Sequence, residues 1–245
     1  MRVLWRGVIV FFVFLILWQV TVNFWQIPPY LLPTPMAVLK SMQVNHVLLV
    51  HESLPTLIET VLGLILGIVL GCITAISMSF FRAAGLWLMP LVVVSQAIPT
   101  FAIAPLLVLW LGFGMSSKIA TTVLMLFFPI TSSFYDGLRQ TDRAWLDLSM
   151  TMRATRLRTY WYLRIPAALP SLASGIRVAT AIAPIGAVIG EWVGASKGLG
   201  FLMLNANARM QIDLMFAALF IIILFSLVLF FTVDYLLKKA IPWHA

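Results

Sequence analysis

Long apolar runs, separated by short polar segments, constrain the fold of this chain more than any other feature. Six runs are near the length of a membrane span: residues 7–25, 60–81, 86–111, 119–135, 166–190 and 214–233. A helix needs roughly 20 apolar residues to cross a bilayer, and its backbone hydrogen bonds must close within the lipid. Only 10% of the residues are charged, whereas soluble domains have about 25%. The pattern predicts an all-α integral membrane protein with about six transmembrane helices in one domain, 1–245.

The basic residues indicate how these spans are oriented. If the N-terminus is cytoplasmic, eleven lie inside: Arg2, Arg6, Arg82, Arg139, Arg143, Arg153, Arg156, Arg158, Arg164, Lys238 and Lys239. Four lie outside: Lys40, Lys118, Lys197 and Arg209. Because lysine and arginine concentrate in cytoplasmic loops, both termini are predicted to be cytoplasmic. These residues flank spans and do not cover one soluble face, so no nucleic-acid partner is expected.

The first run, 7–25, is predicted to be a retained anchor helix. It exceeds the roughly 7–15 apolar residues of a signal peptide, and no small-residue cleavage site follows it. The external segment 27–59 comes next. Thr34 and Pro35 predict a helix start there, followed by an amphipathic helix over 36–50 along the membrane surface.

Three residues of that segment suggest two alternatives: His46, His51 and Glu52. Solvated surface residues are one interpretation, and a metal site is the other. Their spacing matches no ligand motif, so we predict no metal site.

Glycines repeat every four residues in the second run, at Gly63, Gly67 and Gly71. This small-residue pattern lets two helix backbones approach closely. Packing within the chain is the favoured interpretation, and a seam between two copies is the alternative.

The third run is interrupted by three prolines, and polar Ser95, Gln96 and Thr100 cluster beside Pro99. Broken helices with polar residues often line a transport pathway, although a kinked packing helix has the same pattern. Arg177 lies within the fifth run. It is interpreted either as a charge in the pathway or as a packing arginine near the inner interface. Glu191 follows that run and is interpreted either as a gate residue of the pathway or as an interfacial charge. These five residues are the candidate substrate path.

Catalytic motifs are missing from the sequence. The glycine-rich segment 194–200 lacks the Walker A spacing and follows a membrane helix instead of a strand. No metalloprotease motif, nucleophile elbow or paired catalytic carboxylates occur. We therefore expect no enzyme activity, no ATP site and no cofactor.

One polar segment between spans, 139–164, is unusually long and carries six arginines. A docking site for a soluble partner is the favoured interpretation, and a solvated charged loop is the alternative. Residues 147–170 resemble the EAA loop of ABC importer permeases. Asp147 stands at the glutamate of that pattern, Leu148 and Ser149 at the alanines, and Arg153 at the glycine. The closing hexapeptide 165–170, Ile-Pro-Ala-Ala-Leu-Pro, matches closely.

Two further segments, 95–114 and 190–202, resemble the nitrate/sulfonate/taurine-type branch of these permeases, and the resemblance extends from about residue 56 onward. It implies a type I importer permease fold, with a core over about 56–240 and a cytoplasmic coupling-helix loop. The implied coupling residues are Asp147, Leu148, Ser149, Met152, Arg153, Ala154, Pro166 and Pro170.

The resemblance also implies partners and a location. These are a dimer of cytoplasmic ATP-binding subunits, a second permease copy forming a homodimer, and an external solute-binding protein at the bacterial inner membrane. Residues 183–192 and 205–213 look most like permeases for the pyrimidine precursor of thiamine, hydroxymethylpyrimidine. Aliphatic sulfonates, taurine and nitrate stay open, and Arg177 would suit such anions. A stand-alone channel or ion-coupled carrier is the alternative class, which would need intramembrane carboxylates or a repeat.

Overall fold

The structure, a computed structural model, describes residues 2–244, which form helices and no strand. The α-helices are α1 Arg2–Phe24, α2 Pro35–Val44, α3 His46–Phe80, α4 Arg82–Ala97, α5 Thr100–Leu111, α6 Met115–Arg139, α7 Arg143–Thr151, α8 Arg156–Thr159, α9 Ile165–Gly194, α10 Leu199–Ala208 and α11 Ile212–Ala240. A π-helical turn, Tyr160–Arg164, joins α8 to α9, and a 3-10 turn, Pro242–His244, follows α11.

Four helical stretches are long and apolar enough to cross a membrane: α3, α6, the stretch Arg156–Gly194 and α11. Helices α4 and α5 qualify together as a fifth. The predicted span 7–25 falls in α1. Part of its start lies outside the residues whose side chains are described. The described part, Phe12–Phe24, is apolar but shorter than a membrane span. The all-α membrane fold is thus confirmed with four to five spans, and the sixth stays a prediction.

Helix α6 forms the centre of the fold, because it packs against both α3 and α9. Small residues make this close packing possible. A Cβ on Gly63 would approach Thr122 to 2.5 Å, and a Cβ on Gly71 would approach Ile130 to 2.8 Å. The glycine stripe of α3 therefore serves contacts within the chain, as the favoured interpretation predicted.

The segment 27–59 departs from the sequence prediction. Thr34 caps α2 by accepting a hydrogen bond from the Ala37 amide at 3.2 Å, as expected. However, α2 ends at Val44, and His46 begins α3, so the predicted single helix over 36–50 is wrong. The 35 residues of α3 extend about 52 Å, well beyond the roughly 30 Å hydrocarbon core, so part of the helix lies outside it.

The third predicted span is broken more sharply than a kink. Helices α4 and α5 meet at an angle of 103°, with Ile98 and Pro99 between them. Pro99 has no amide hydrogen to continue the hydrogen-bond ladder, and the residue before a proline avoids helical geometry. Ile98 accordingly has extended backbone angles.

Candidate functional site

Helix α7, which contains the first coupling residues predicted, is short and exposed. Asp142 caps it by accepting a hydrogen bond from the Ala144 amide at 2.9 Å. None of its residues is buried, and the side chain of Leu148 is 60% exposed. An apolar side chain so exposed on a short amphipathic helix is typical of a surface that binds another protein.

A tight bend ends α7 at the position where the resemblance expects glycine. The Ala154 amide donates to the Ser149 carbonyl at 2.9 Å, and the Arg153 amide donates to the Met150 carbonyl at 2.9 Å. This is the Schellman pattern, whose central residue adopts the left-handed conformation. Arg153 has φ of +51°. The bend is therefore made with arginine, although glycine would adopt this conformation at a lower energetic cost.

A cavity of about 560 Å³ lies beside this bend. Its walls come from α7, the bend, α8 and the π-helical turn: Trp145, Leu148, Ser149, Met152, Arg153, Ala154, Arg158, Thr159, Tyr162 and Leu163. Met152 at its rim is 74% exposed, and the neighbouring Asp147 is also exposed. Five of the predicted coupling residues, 148, 149 and 152–154, thus line one cavity, and the sixth, Asp147, is exposed on the same short helix.

Pro166 and Pro170 lie in the first turns of α9 and not in the loop itself. Between them, Ala168 packs against Gly137 of α6, where an added Cβ would also approach Ser171 to 2.6 Å. The Tyr160 hydroxyl donates to the Ile76 carbonyl of α3 at 3.3 Å. These contacts fix the base of the loop to both neighbouring spans.

The polar residues of the third span lie at the break between α4 and α5. Ser95 donates to the Val92 carbonyl at 2.7 Å within its own helix. Gln96 is exposed in the last turn of α4, and Thr100 is half-buried at the first position of α5. An exposed amide at a break between two helices is available for contact with water, solute or another copy of the chain.

Arg177 has a partner within the chain. Its Nε lies 2.7 Å from Oδ1 of Asp234 on α11, and Lys238 Nζ lies 2.7 Å from the other carboxylate oxygen. The structure therefore offers a packing explanation for this arginine. About 21 Å separates Arg177 from Glu191 along α9, so the two cannot contact one small solute together.

Glu191 is fully buried at the other end of α9. Its Oε1 accepts from the Thr56 hydroxyl at 2.6 Å, and its Oε2 accepts from the Gly200 amide at 2.5 Å. The nearby Gly198 amide donates a hydrogen bond to Oε2 of Glu52 at 2.6 Å. The glycine-rich segment 194–200 thus holds carboxylates of its own chain, and Glu191 has no exposed surface along a path.

An ion pair next to this cluster was not predicted from the sequence. Lys118 Nζ of α6 lies 3.3 Å from Glu59 Oε1 of α3, and both side chains are buried. The other Glu59 oxygen, Oε2, has no hydrogen-bond partner among the described residues. The sequence contained one indication of this pair. The two residues have opposite charges, and they flank neighbouring apolar runs on the same predicted side of the membrane.

Both histidines of the external segment are exposed. His46 Nδ1 lies 2.8 Å from the Gln43 carbonyl, and His51 Nδ1 lies 3.2 Å from Glu52. Within residues 2–244, no three histidine, cysteine or acidic side chains are arranged to hold a metal ion.

Comparison with known proteins gives the family. The model of the binding-protein-dependent transport system inner membrane component matches residues 67–241. A probable ABC transporter permease protein of Haemophilus influenzae is 51% identical over 229 residues, covering 94% of each chain. The formylaminopyrimidine transport permease protein ThiX of Halalkalibacterium halodurans is 36% identical over 235 residues, covering 96% of this chain and 94% of ThiX.

The fold is also that of a solved importer. A chain of the inward-facing MetNI methionine ABC transporter superposes with a TM-score of 0.67 at 18% identity, covering 80% of this chain and 97% of that one. Such permeases have no ATPase site and work with a separate ATP-binding subunit and a solute-binding protein. The match over most of its length shows that this chain belongs to the binding-protein-dependent transport system inner membrane components, the permease subunits of ABC importers.

Proposed function

We propose that α7 and the bend at Arg153 dock the ATP-binding subunit, and that this contact couples ATP hydrolysis to solute import. The exposed apolar surface around Leu148 and Met152 carries the proposal, because it has no partner within the described chain. The bend is attached through α8 and the π-helical turn to α9. A movement of the ATP-binding subunit is thereby transmitted to a membrane span.

The translocation path, in this proposal, runs between two copies of the chain. Ser95, Gln96 and Thr100 supply polar groups at the break in the third span, where helical hydrogen bonding is interrupted. Polar groups in hydrocarbon are costly unless they face water, solute or each other. In this proposal, Arg177 and Glu191 do not face the path. Their contacts with Asp234 and Thr56 instead hold α9 against α11 and α3.

The proposed solute is a pyrimidine precursor of thiamine. The support is similarity to ThiX, a permease named for the transport of formylaminopyrimidine. The alternative solutes are sulfonates, taurine and nitrate, all of which carry an anionic group. Arg177 favours an anion less than the sequence suggested, because it already forms an ion pair with Asp234. Binding of formylaminopyrimidine and taurine to the cognate external protein, measured by calorimetry, would distinguish the two classes.

We further propose that both termini and α7 face the cytoplasm. The support is the excess of basic residues on that side, eleven against four.

An ion-coupled carrier is the competing function class. Glu59 and Glu191 are the buried carboxylates that such a carrier would use, but neither has an exposed surface. Permease, ATP-binding subunit and external protein reconstituted in vesicles should take up the solute only when ATP is present. Uptake driven by a proton or sodium gradient without ATP would contradict the proposal and favour the carrier.

A further inference from the structure

A second cavity, of about 580 Å³, lies where five helical elements meet: α3, α4, α6, α8 and the π-helical turn. Arginines from four of these elements line it: Arg82 of α4, Arg139 of α6, Arg156 of α8 and Arg164 of the π-helical turn. No carboxylate lines the cavity, and none of the four arginines forms an ion pair with a carboxylate of residues 2–244. Four unneutralised guanidinium groups around one cavity favour an anionic occupant.

Two of these arginines are held in place by contacts that leave donors free. Arg156 donates one hydrogen bond to the Phe80 carbonyl at 2.7 Å and lies 5.1 Å from the Phe80 ring centroid. Arg139 lies 5.4 Å from the ring centroid of Tyr135. A guanidinium group has five N–H donors, so most of them stay available to phosphate oxygens.

One wall of the cavity comes from α4, where Arg82 is followed by the apolar residues Leu86, Met89 and Pro90. This wall continues into exposed apolar surface at Leu91 and at Trp87, which is 79% exposed. Arg82 begins α4 and Arg139 ends α6, and the ends of membrane spans lie at the depth of lipid headgroups. A charged wall at this depth beside an apolar wall matches a phospholipid, whose phosphate would meet the arginines while an acyl chain follows α4. A free phosphate ion would use only the charged half.

From this arrangement we infer that the cavity binds the headgroup of an anionic phospholipid. Basic pockets between transmembrane helices on the cytoplasmic side bind such headgroups in other membrane proteins. The bound lipid would join α4, beside the proposed path, to α8, beside the docking bend. This inference goes beyond the proposed transport function and does not depend on the identity of the solute.

The test uses the purified permease in complex with its ATP-binding subunit. The complex in detergent is titrated with phosphatidylglycerol, and bound lipid is counted by native mass spectrometry. The double variant Arg82→Gln/Arg164→Gln removes two charges from the cavity, and Lys238→Gln/Lys239→Gln removes two charges outside it. We expect the cavity variant to bind phosphatidylglycerol roughly 25-fold more weakly, a factor of about five for each arginine. The control and wild type should bind alike, and phosphatidylcholine should not replace the anionic lipid.

Three results would overturn the inference. Equal weakening in both double variants would mean that only the overall surface charge attracts the lipid. Displacement of phosphatidylglycerol by equimolar glycerol 3-phosphate would identify a site for a soluble phosphate. Loss of the ATP-binding subunit from the cavity variant, with lipid binding unchanged, would identify the arginines as protein contacts.

Discussion

The Thr56 hydroxyl donates a hydrogen bond to Glu191 Oε1 at 2.6 Å, between two residues 135 positions apart in the chain. The Thr56 hydroxyl oxygen in turn accepts a hydrogen bond from the Leu199 amide at 2.8 Å. One hydroxyl therefore connects α3, the end of α9 and the start of α10. Buried Glu59 and Lys118 lie beside it, so this end of the molecule is joined by polar contacts instead of by apolar packing alone.

Replacing this hydroxyl should weaken the fold. Thr56→Val keeps the shape of the side chain but leaves one Glu191 oxygen and the Leu199 amide without these partners. Each buried unpaired group costs about 1–3 kcal/mol, so we expect a loss of about 2 kcal/mol or more in the free energy of unfolding. Denaturant unfolding in detergent, followed by tryptophan fluorescence, measures the change.

Thr74→Val provides the matched control for that variant. Thr74 lies on the same helix, and its hydroxyl donates only to the Leu70 carbonyl of its own backbone. We expect a change within about 0.5 kcal/mol for the control. Equal losses in the two variants would mean that the contact with Glu191 contributes nothing specific.

The bend after α7 gives a second prediction. Arg153→Gly and Arg153→Val both remove the charge, but only glycine adopts the left-handed conformation without steric cost. We expect the glycine variant to retain the ATP-binding subunit and the valine variant to lose much of it, since β-branched residues strongly avoid this region. Co-purification of the two subunits is the measurement. Equal retention would show that the backbone geometry at Arg153 does not matter for docking.

Orientation can be tested at Ser196, which is exposed between α9 and α10. In a Cys72→Ser background, Ser196→Cys should react with a membrane-impermeant thiol reagent added to intact cells. Gln140→Cys, exposed at the end of α6, should react only after the membrane is opened. The reverse pattern would place the termini outside.

Gln96 tests the proposed path. Because its side chain is exposed in the subunit, Gln96→Leu should leave the stability of the complex within about 0.5 kcal/mol of wild type. Uptake per folded complex should fall severalfold. Gln43→Leu, at an exposed glutamine on α2, is the control and should change neither quantity. A loss of stability with normal uptake would assign Gln96 to packing.

The sequence predicted local features well, because their causes are local. Apolar runs gave the positions of the long helices, Thr34 and Pro35 gave the start of α2, and Pro99 gave the break in the third span. The 103° bend at that break was not predictable, since proline ends a helix without fixing the direction of the next one.

Partners distant in the chain could not be predicted. In the sequence, Glu59 marks the start of the apolar run 60–81. In the structure, α3 continues through Glu59, whose charge is paired with that of Lys118. For Arg177 the sequence left a pathway charge and a packing arginine open, because its partner Asp234 lies 57 positions away. In both cases the charge is paired by a residue on another helix, and only the tertiary fold brings the two together.

Retention of the ATP-binding subunit by a variant of α7 tests the central claim most directly. Asp147→Lys/Leu148→Lys reverses a charge and removes an exposed apolar contact without touching any buried residue. Gln140→Lys adds a positive charge nearby and leaves α7 intact. The account predicts that the wild type and Gln140→Lys retain the ATP-binding subunit on purification, while the double variant inserts normally and loses it. Full retention by the double variant, with normal ATP-driven uptake, would contradict the account.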